Sequence, residues 1–126
     1  MLDVDYLKDI NDQHGHLFGD AVLKEIARIS AKQIRETDHV SRYGGEEFAF
    51  ILADTPLNEA RQIADRIAEA NRSHKVVQNG ITVRYTISAG IAELRDDDQT
   101  VEDLINRADE HLYRAKSEGR DQVSSD

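Results

Sequence analysis

Three segments of this 126-residue chain repeat apolar residues at the three-and-four spacing of an amphipathic helix, and β-patterned runs lie between them. Two alternating periods restrict the chain to an α+β layout with helices packed on a sheet. The first helical stripe runs from Gly19 to Ile34 and carries Val22, Leu23, Ile26, Ala27 and Ile29. The second follows Pro56, from Leu57 to Asn71, with Ala60, Ile63, Ala64, Ile67 and Ala68. The third runs from Val101 to Ser117, with Leu104, Ile105, Ala108, Leu112 and Ala115. Thr100 and Asp103 stand at capping-box spacing, which places its start.

The runs Val40 to Tyr43 and Phe48 to Leu52 flank Gly44-Gly45 and read as a hairpin. Ile81 to Ala92 alternates Val83, Tyr85, Ile87, Ala89 and Ile91 and reads as one strand rich in β-branched residues. Gln122 to Ser124 forms a short final strand. Only Met1-Leu2 precede the first polar cluster, so the leading strand is expected to be mostly missing. With such a strand in front, the order is a ferredoxin-like βαββαβ core with an extra C-terminal αβ. The expected domain is single, residues 1–126, with an antiparallel-type central sheet flanked by helices.

Composition removes several classes of function. The chain has no cysteine, which excludes disulfides, thiolate zinc sites and thiol catalysis. Lys and Arg number 16 against 25 Asp and Glu, a formal charge of −9. That balance gives DNA or RNA no basic face, yet leaves room for a small nucleotide met by a metal and a few cations. No apolar run approaches the roughly 20 residues needed to cross a bilayer, and the start is not that of a secretory signal. A cytoplasmic chain without direct membrane contact is expected.

Three clusters could carry chemistry. Asp3-Val4-Asp5, followed by Lys8 and Asn11, is dense in carboxylates. Asp3 and Asp5 share a face if they lie on a strand. They read either as a solvated acidic loop or as oxygen ligands for a hard cation that also binds substrate phosphates. Arg42-Tyr43-Gly44-Gly45-Glu46-Glu47-Phe48 places two acids after two glycines that let a backbone turn and a ligand approach. Should the leading strand lie beside this hairpin, Asp3 and Glu46 could share metal ions, the geometry of two-metal phosphoryl transfer. Lys116 and Arg120 bracket Gly119 at the end of the third helix. They serve either the helix dipole or terminal phosphates.

In combination these patterns resemble the GGDEF family, the diguanylate cyclases, along nearly the whole chain. The naming motif stands as Gly44-Gly45-Glu46-Glu47-Phe48, the GGEEF variant. Upstream lie Asp3-Val4-Asp5-Tyr6-Leu7-Lys8 and Ile10-Asn11-Asp12, then Gly15-His16-Leu17-Phe18-Gly19-Asp20. Downstream come Ser88-Ala89-Gly90-Ile91-Ala92 and the helix motif Arg107-Ala108-Asp109, Leu112-Tyr113, Ala115-Lys116, Gly119-Arg120. Leu7 stands where the family usually has Phe.

The resemblance implies condensation of two GTP into cyclic di-GMP with release of pyrophosphate. It assigns Asp3, Glu46 and the carbonyl of Val4 to Mg²⁺ or Mn²⁺. Glu47 becomes general base or second metal-site carboxylate, and Arg42 the cation at the developing charge. Asn11 and Asp20 read guanine, because a carboxylate accepts both N1–H and the exocyclic amine. Asp20 also stands where it could cap the first helix. Lys8, Lys116 and Arg120 neutralise phosphates, and Gly44-Gly45 admit the substrate. Arg35 and Asp38, an RxxD before the glycines, with Arg66, correspond to the site where product binds and inhibits. His16 is read as structural. The family's domain normally begins with a further helix and most of the central strand, and a sensory or receiver domain commonly precedes it. Catalysis in the family needs a homodimer with two sites face to face.

Overall fold

A computed structural model describes residues 1–126. The elements are β1 (Leu2–Val4), α1 (Leu7–His14), α2 (His16–Ala31), β2 (His39–Arg42), β3 (Glu47–Ile51), α3 (Leu57–Arg72), β4 (Lys75–Gln78), β5 (Ile81–Arg84), β6 (Ile87–Gly90), α4 (Val101–Ser117) and β7 (Val123–Ser124). The main sheet has the order β2-β3-β1-β6-β7. Its first four strands are antiparallel and reproduce the ferredoxin-like order, while β7 adds to the edge of β6 in parallel. The sheet is therefore mixed at that edge.

The leading strand forms although it is three residues long. Leu2 faces Phe48 and Ala89 across the ladder, and Asp3 faces Glu47 and Ser88. Backbone bonds from Gly90 to Met1 and from Asp5 to Thr86 extend the pairing by one residue at each end. The period of two then sorts the side chains. Leu2, Val4, Phe48, Ile87 and Ala89 join Val22, Ile26, Ile63 and Ile67 in the core under α2 and α3. Asp3 and the residues facing it take the opposite face, which α4 covers. Gly90 is needed there: an added Cβ would run into the backbone of Ala108 and Leu112.

Next to Met1, a space lies between β3 and the segment after β6. A cavity of about 810 Å³ opens there, bounded by Phe50 and Ile91, by Ile63 and Ile67 of α3, and by Leu104 and Ala108 of α4. It reaches helices of both layers.

Three segments depart from the sequence reading by more than a residue or two. The acidic segment after β1 is a helix, α1, with only Leu7 and Ile10 buried. Two apolar residues in eight leave too faint a stripe to read. The next helix starts at His16, because Gly15 at φ +89 separates it from α1, and it ends at Ala31. The run from Ile81 to Ala92 is two strands, interrupted at Tyr85-Thr86. β5 pairs with β4 in a separate hairpin. Its turn is Asn79-Gly80 at φ 52 and 77, the pair that supplies positive φ at both central positions of a type I′ turn. The other two helices lie where their stripes and the Thr100–Asp103 capping box put them.

Candidate active site

β1, α1, the β2–β3 turn and the end of α4 converge at one end of the sheet. Asp3 lies at the centre, 2% exposed. Its Oδ2 is paired with the Lys116 ammonium from α4. Its Oδ1 is buried and has no hydrogen-bond partner. Burial pushes the Asp3 carboxyl above its ordinary value, and the Lys116 hydrogen bond pulls only part of the way back. Glu47 sits directly across the ladder from Asp3, on the same face of the sheet. Glu46 is raised as well, by burial first and then by the Asp3 charge. Asp3, Glu46, Glu47 and Lys116 thus occupy one electrostatic neighbourhood.

No three His, Cys, Asp or Glu side chains converge as a ready metal cage. The chain can offer a hard cation carboxylate oxygens from Asp3 and Glu46 and the carbonyl of Val4. The unpartnered Oδ1 of Asp3 fits that use, since a buried carboxylate oxygen ordinarily has a donor or a cation. Such a donor set suits Mg²⁺ or Mn²⁺, with the remaining ligands coming from phosphates or water.

The β2–β3 turn is closed from within. Tyr43 and Gly44 donate backbone bonds to the carbonyl of Glu47, and Arg42 donates from Nε and Nη2 to the carbonyl of Gly45. Gly44 and Gly45 do not adopt positive φ, so the conformation of the turn does not require them. A Cβ at Gly45 would meet nothing within 4 Å, and one at Gly44 would make ordinary contact with Glu47. Nothing inside the chain demands glycine at either position.

Asn11 and Asp20 come from α1 and α2. Gly19 brings these helices together, because a Cβ there would collide with Oδ1 of Asn11. That oxygen is buried without a donor. Asp20 is exposed inside the second turn of α2, so it does not cap the helix; Gly15 holds the N-cap position. Asp20, Arg42 and Phe48 line a cleft of about 400 Å³ together with Lys24 and Ser41, two polar residues that no motif singled out. Lys8 is exposed on α1. Arg120 lies over the ring of Tyr6, 4.8 Å from its centre. His16 is exposed at the start of α2, whereas His111 is buried between Ser124 and Asp126.

Arg35 and Asp38 form a second cluster away from Asp3. The buried Asp38 carboxylate accepts from the Arg35 backbone at 2.9 Å and from its guanidinium at 3.3 Å. It also accepts from the amide of Ala53 at 3.1 Å. Burial alone would raise this carboxyl, but the Arg35 and Ala53 bonds hold it below the usual range. The Arg35 guanidinium also donates to the Ala53 carbonyl and the Thr55 hydroxyl. Arg66 reaches the same corner through the Gln33 carbonyl at 3.3 Å. Asp38 is thus a structural tether, and the half-exposed Arg35 is the member open to a ligand.

The family model described as "Diguanylate cyclase, GGDEF domain" matches residues 1–122. Diguanylate cyclase A of Treponema denticola is 37% identical over 124 residues, covering 98% of this chain and 33% of that protein. The chain thus spans about a third of that relative's length. The diguanylate cyclase SiaD of Pseudomonas aeruginosa, solved in complex with its activator SiaC, superposes with a TM-score of 0.94. It is 39% identical, covering 99% of this chain and 48% of that one. The GGDEF domain of DgcB from Caulobacter crescentus, solved in complex with c-di-GMP, superposes with a TM-score of 0.93. Its identity is 29%, over 98% of this chain and 74% of that one. No helix of this chain is long and apolar enough to cross a membrane.

Proposed function

We propose the function from one premise: the chain belongs to the GGDEF family of diguanylate cyclase domains. It condenses two GTP into cyclic di-GMP. In each half-reaction a 3′-hydroxyl attacks the α-phosphorus of the facing GTP, an O–P bond forms, and the α–β bond breaks to release pyrophosphate. Two subunits face each other, one GTP on each, and an N-terminal sensory or receiver domain controls their meeting. GTP as substrate places the domain in the cytoplasm.

The observation that carries this reading is the buried, unpartnered Oδ1 of Asp3 beside Glu46, Glu47 and Lys116. Asp3, Glu46 and the Val4 carbonyl would hold Mg²⁺ or Mn²⁺. When bound there, such an ion would neutralise phosphate charge and make the attacking hydroxyl more acidic. Glu47, across the ladder from Asp3, takes the hydroxyl proton or completes the carboxylate set. Lys116, Arg120 and Lys8 meet the phosphates. Gly44 and Gly45 leave room for a phosphate to lie on the turn, which accounts for glycines that the fold does not need. Arg42 moves from the Gly45 carbonyl to the charge developing on the α-phosphate. Asn11 and Asp20 read guanine, and the buried Oδ1 of Asn11 gains a donor in doing so.

Product binds back at Arg35 and Arg66, with buried Asp38 holding Arg35 in place, and inhibits. The arrangement of Arg35 by Asp38 and Thr55 supports this, since a held guanidinium loses less freedom on meeting phosphate. The same observation favours one alternative, a module that binds cyclic di-GMP or GTP without turnover. Incubation with GTP and Mg²⁺ followed by chromatography decides. Cyclic di-GMP in the product is the expected result. Unchanged GTP together with calorimetric binding of cyclic di-GMP would leave the alternative standing.

A further inference from the structure

Asp5 is a buried carboxylate, 3% exposed, that the proposed chemistry does not use. It accepts three hydrogen bonds, all from neutral donors. The hydroxyls of Thr86 and Ser88 donate at 2.7 Å each, and the amide of Asp121 donates at 2.9 Å. A carboxylate taken out of water is costly unless its oxygens are filled, and the third donor comes from a segment 116 residues away.

That segment is a strained turn. Gly119, Arg120 and Asp121 follow α4 with φ of +121, +64 and +49, three successive residues in a region that L side chains rarely adopt. Such a conformation persists only where the surroundings impose it. Three ties do so here. The Arg120 amide bonds the Ala115 carbonyl at 2.9 Å, the Arg72 guanidinium holds the Asp121 carboxylate at 3.0 Å, and Asp5 holds the Asp121 amide. The residue after Asp5 completes the clamp: Tyr6, itself at φ 58, offers its ring to Arg120.

We propose that Asp5 is a positioning residue that fixes the turn after α4 and thereby aims Arg120 at the phosphates of a nucleotide bound beside Asp3. The proposal rests on the cyclase reading for its ligand, but not for the turn it describes. One end of β1 then presents two carboxylates with separate tasks. Asp3 faces the reaction and Lys116, and Asp5, two residues on, sets the geometry of the cation beyond it.

Amide hydrogen exchange on the full chain tests the turn. In Asp5→Ala the Asp121 amide is expected to exchange about tenfold faster or more, with the Ile67 amide in α3 unchanged. If that variant fails to fold, Asp5→Asn is read in the same way, with about threefold expected because one acceptor oxygen remains. Unchanged exchange at Asp121, or equal acceleration at Ile67, overturns the proposal. GTP affinity in Mg²⁺, by calorimetry, tests the aim. Asp5→Asn and Arg120→Ala are each expected to weaken binding about fivefold or more, and the double variant to be no weaker than the worse single one. Effects that multiply would overturn the link through Arg120. A parent chain that binds no GTP would instead defeat the cyclase reading, and the exchange result would still decide whether Asp5 holds the turn.

Discussion

The Lys116 ammonium on α4 rests against one carboxylate oxygen of Asp3, while the other oxygen of Asp3 is buried with nothing to accept from. Lys116 is thus the sole countercharge to a carboxylate sealed inside the sheet. Lys116→Met is expected to cost about 2 kcal/mol or more, because it leaves that charge buried and unpaired. Asp3→Asn in the same chain should recover most of the loss. Urea midpoints of the two single variants and the double variant measure this, and additive losses would contradict it.

Glu46→Gln separates the two ligand sites. Turnover of GTP is expected to fall at least about a hundredfold, as for loss of a group acting at the reacting centre. Cyclic di-GMP binding at Arg35 should keep its affinity. Arg35→Ala should do the reverse, preserving the initial rate and removing inhibition by added product. Normal turnover by Glu46→Gln would refute the metal assignment.

The glycines make opposite predictions. Gly45→Ala meets no atom within 4 Å and needs no special φ, so stability should change by no more than about 0.5 kcal/mol while GTP turnover falls. Gly90→Ala should cost about 3 kcal/mol, since its Cβ would strike α4 backbone rather than a movable side chain. Thermal melts alongside a cyclase assay test both. Full activity in Gly45→Ala would mean that no ligand approaches the turn closely.

Asp98 supplies a pH dependence. Its hydrogen bonds from Arg107, and from the amide of Arg95, hold it down at about 2 against the ordinary 3.8. The proton therefore favours the unfolded chain. The stabilisation is complete above the ordinary carboxylate value and is lost as pH falls toward about 2. The gap in melting temperature between the parent and Asp98→Asn should be constant from about pH 5 to 8 and should narrow below about pH 4. A gap insensitive to pH would dissociate Asp98 from this role.

The cavity between β3 and the segment after β6 predicts that the sheet gains from a longer central strand. A chain extended ahead of Met1 by an apolar strand can satisfy the edges of both neighbours and fill a space of about 810 Å³. It should unfold at higher urea than the 126-residue chain. Equal midpoints would show that the space contributes nothing to stability.

The helices from Leu57 and Val101 and the hairpin around Gly44-Gly45 were legible in the sequence, because their signals are local. Helical periodicity, a capping box and a glycine pair act within a few residues. Motif order singled out Asp3, Asn11, Asp20 and Lys116 as candidates, and the fold brings Asp3 and Lys116 into contact. One local signal stands just ahead of the Ile81–Ala92 run: Asn79-Gly80 turns the chain so that the start of that run pairs back on β4. Other features had no local signal. α1 carries only two buried apolar residues, and it holds as a helix through its packing on α2. The pairing of Asp3 with Lys116, the hold of Asp5 on Asp121 and the fit of Gly90 under α4 join residues far apart in the chain. Pattern determines which face of an element is apolar. Only the closed fold decides which buried carboxylate meets a cation, which meets neutral donors, and which oxygen is left for a ligand.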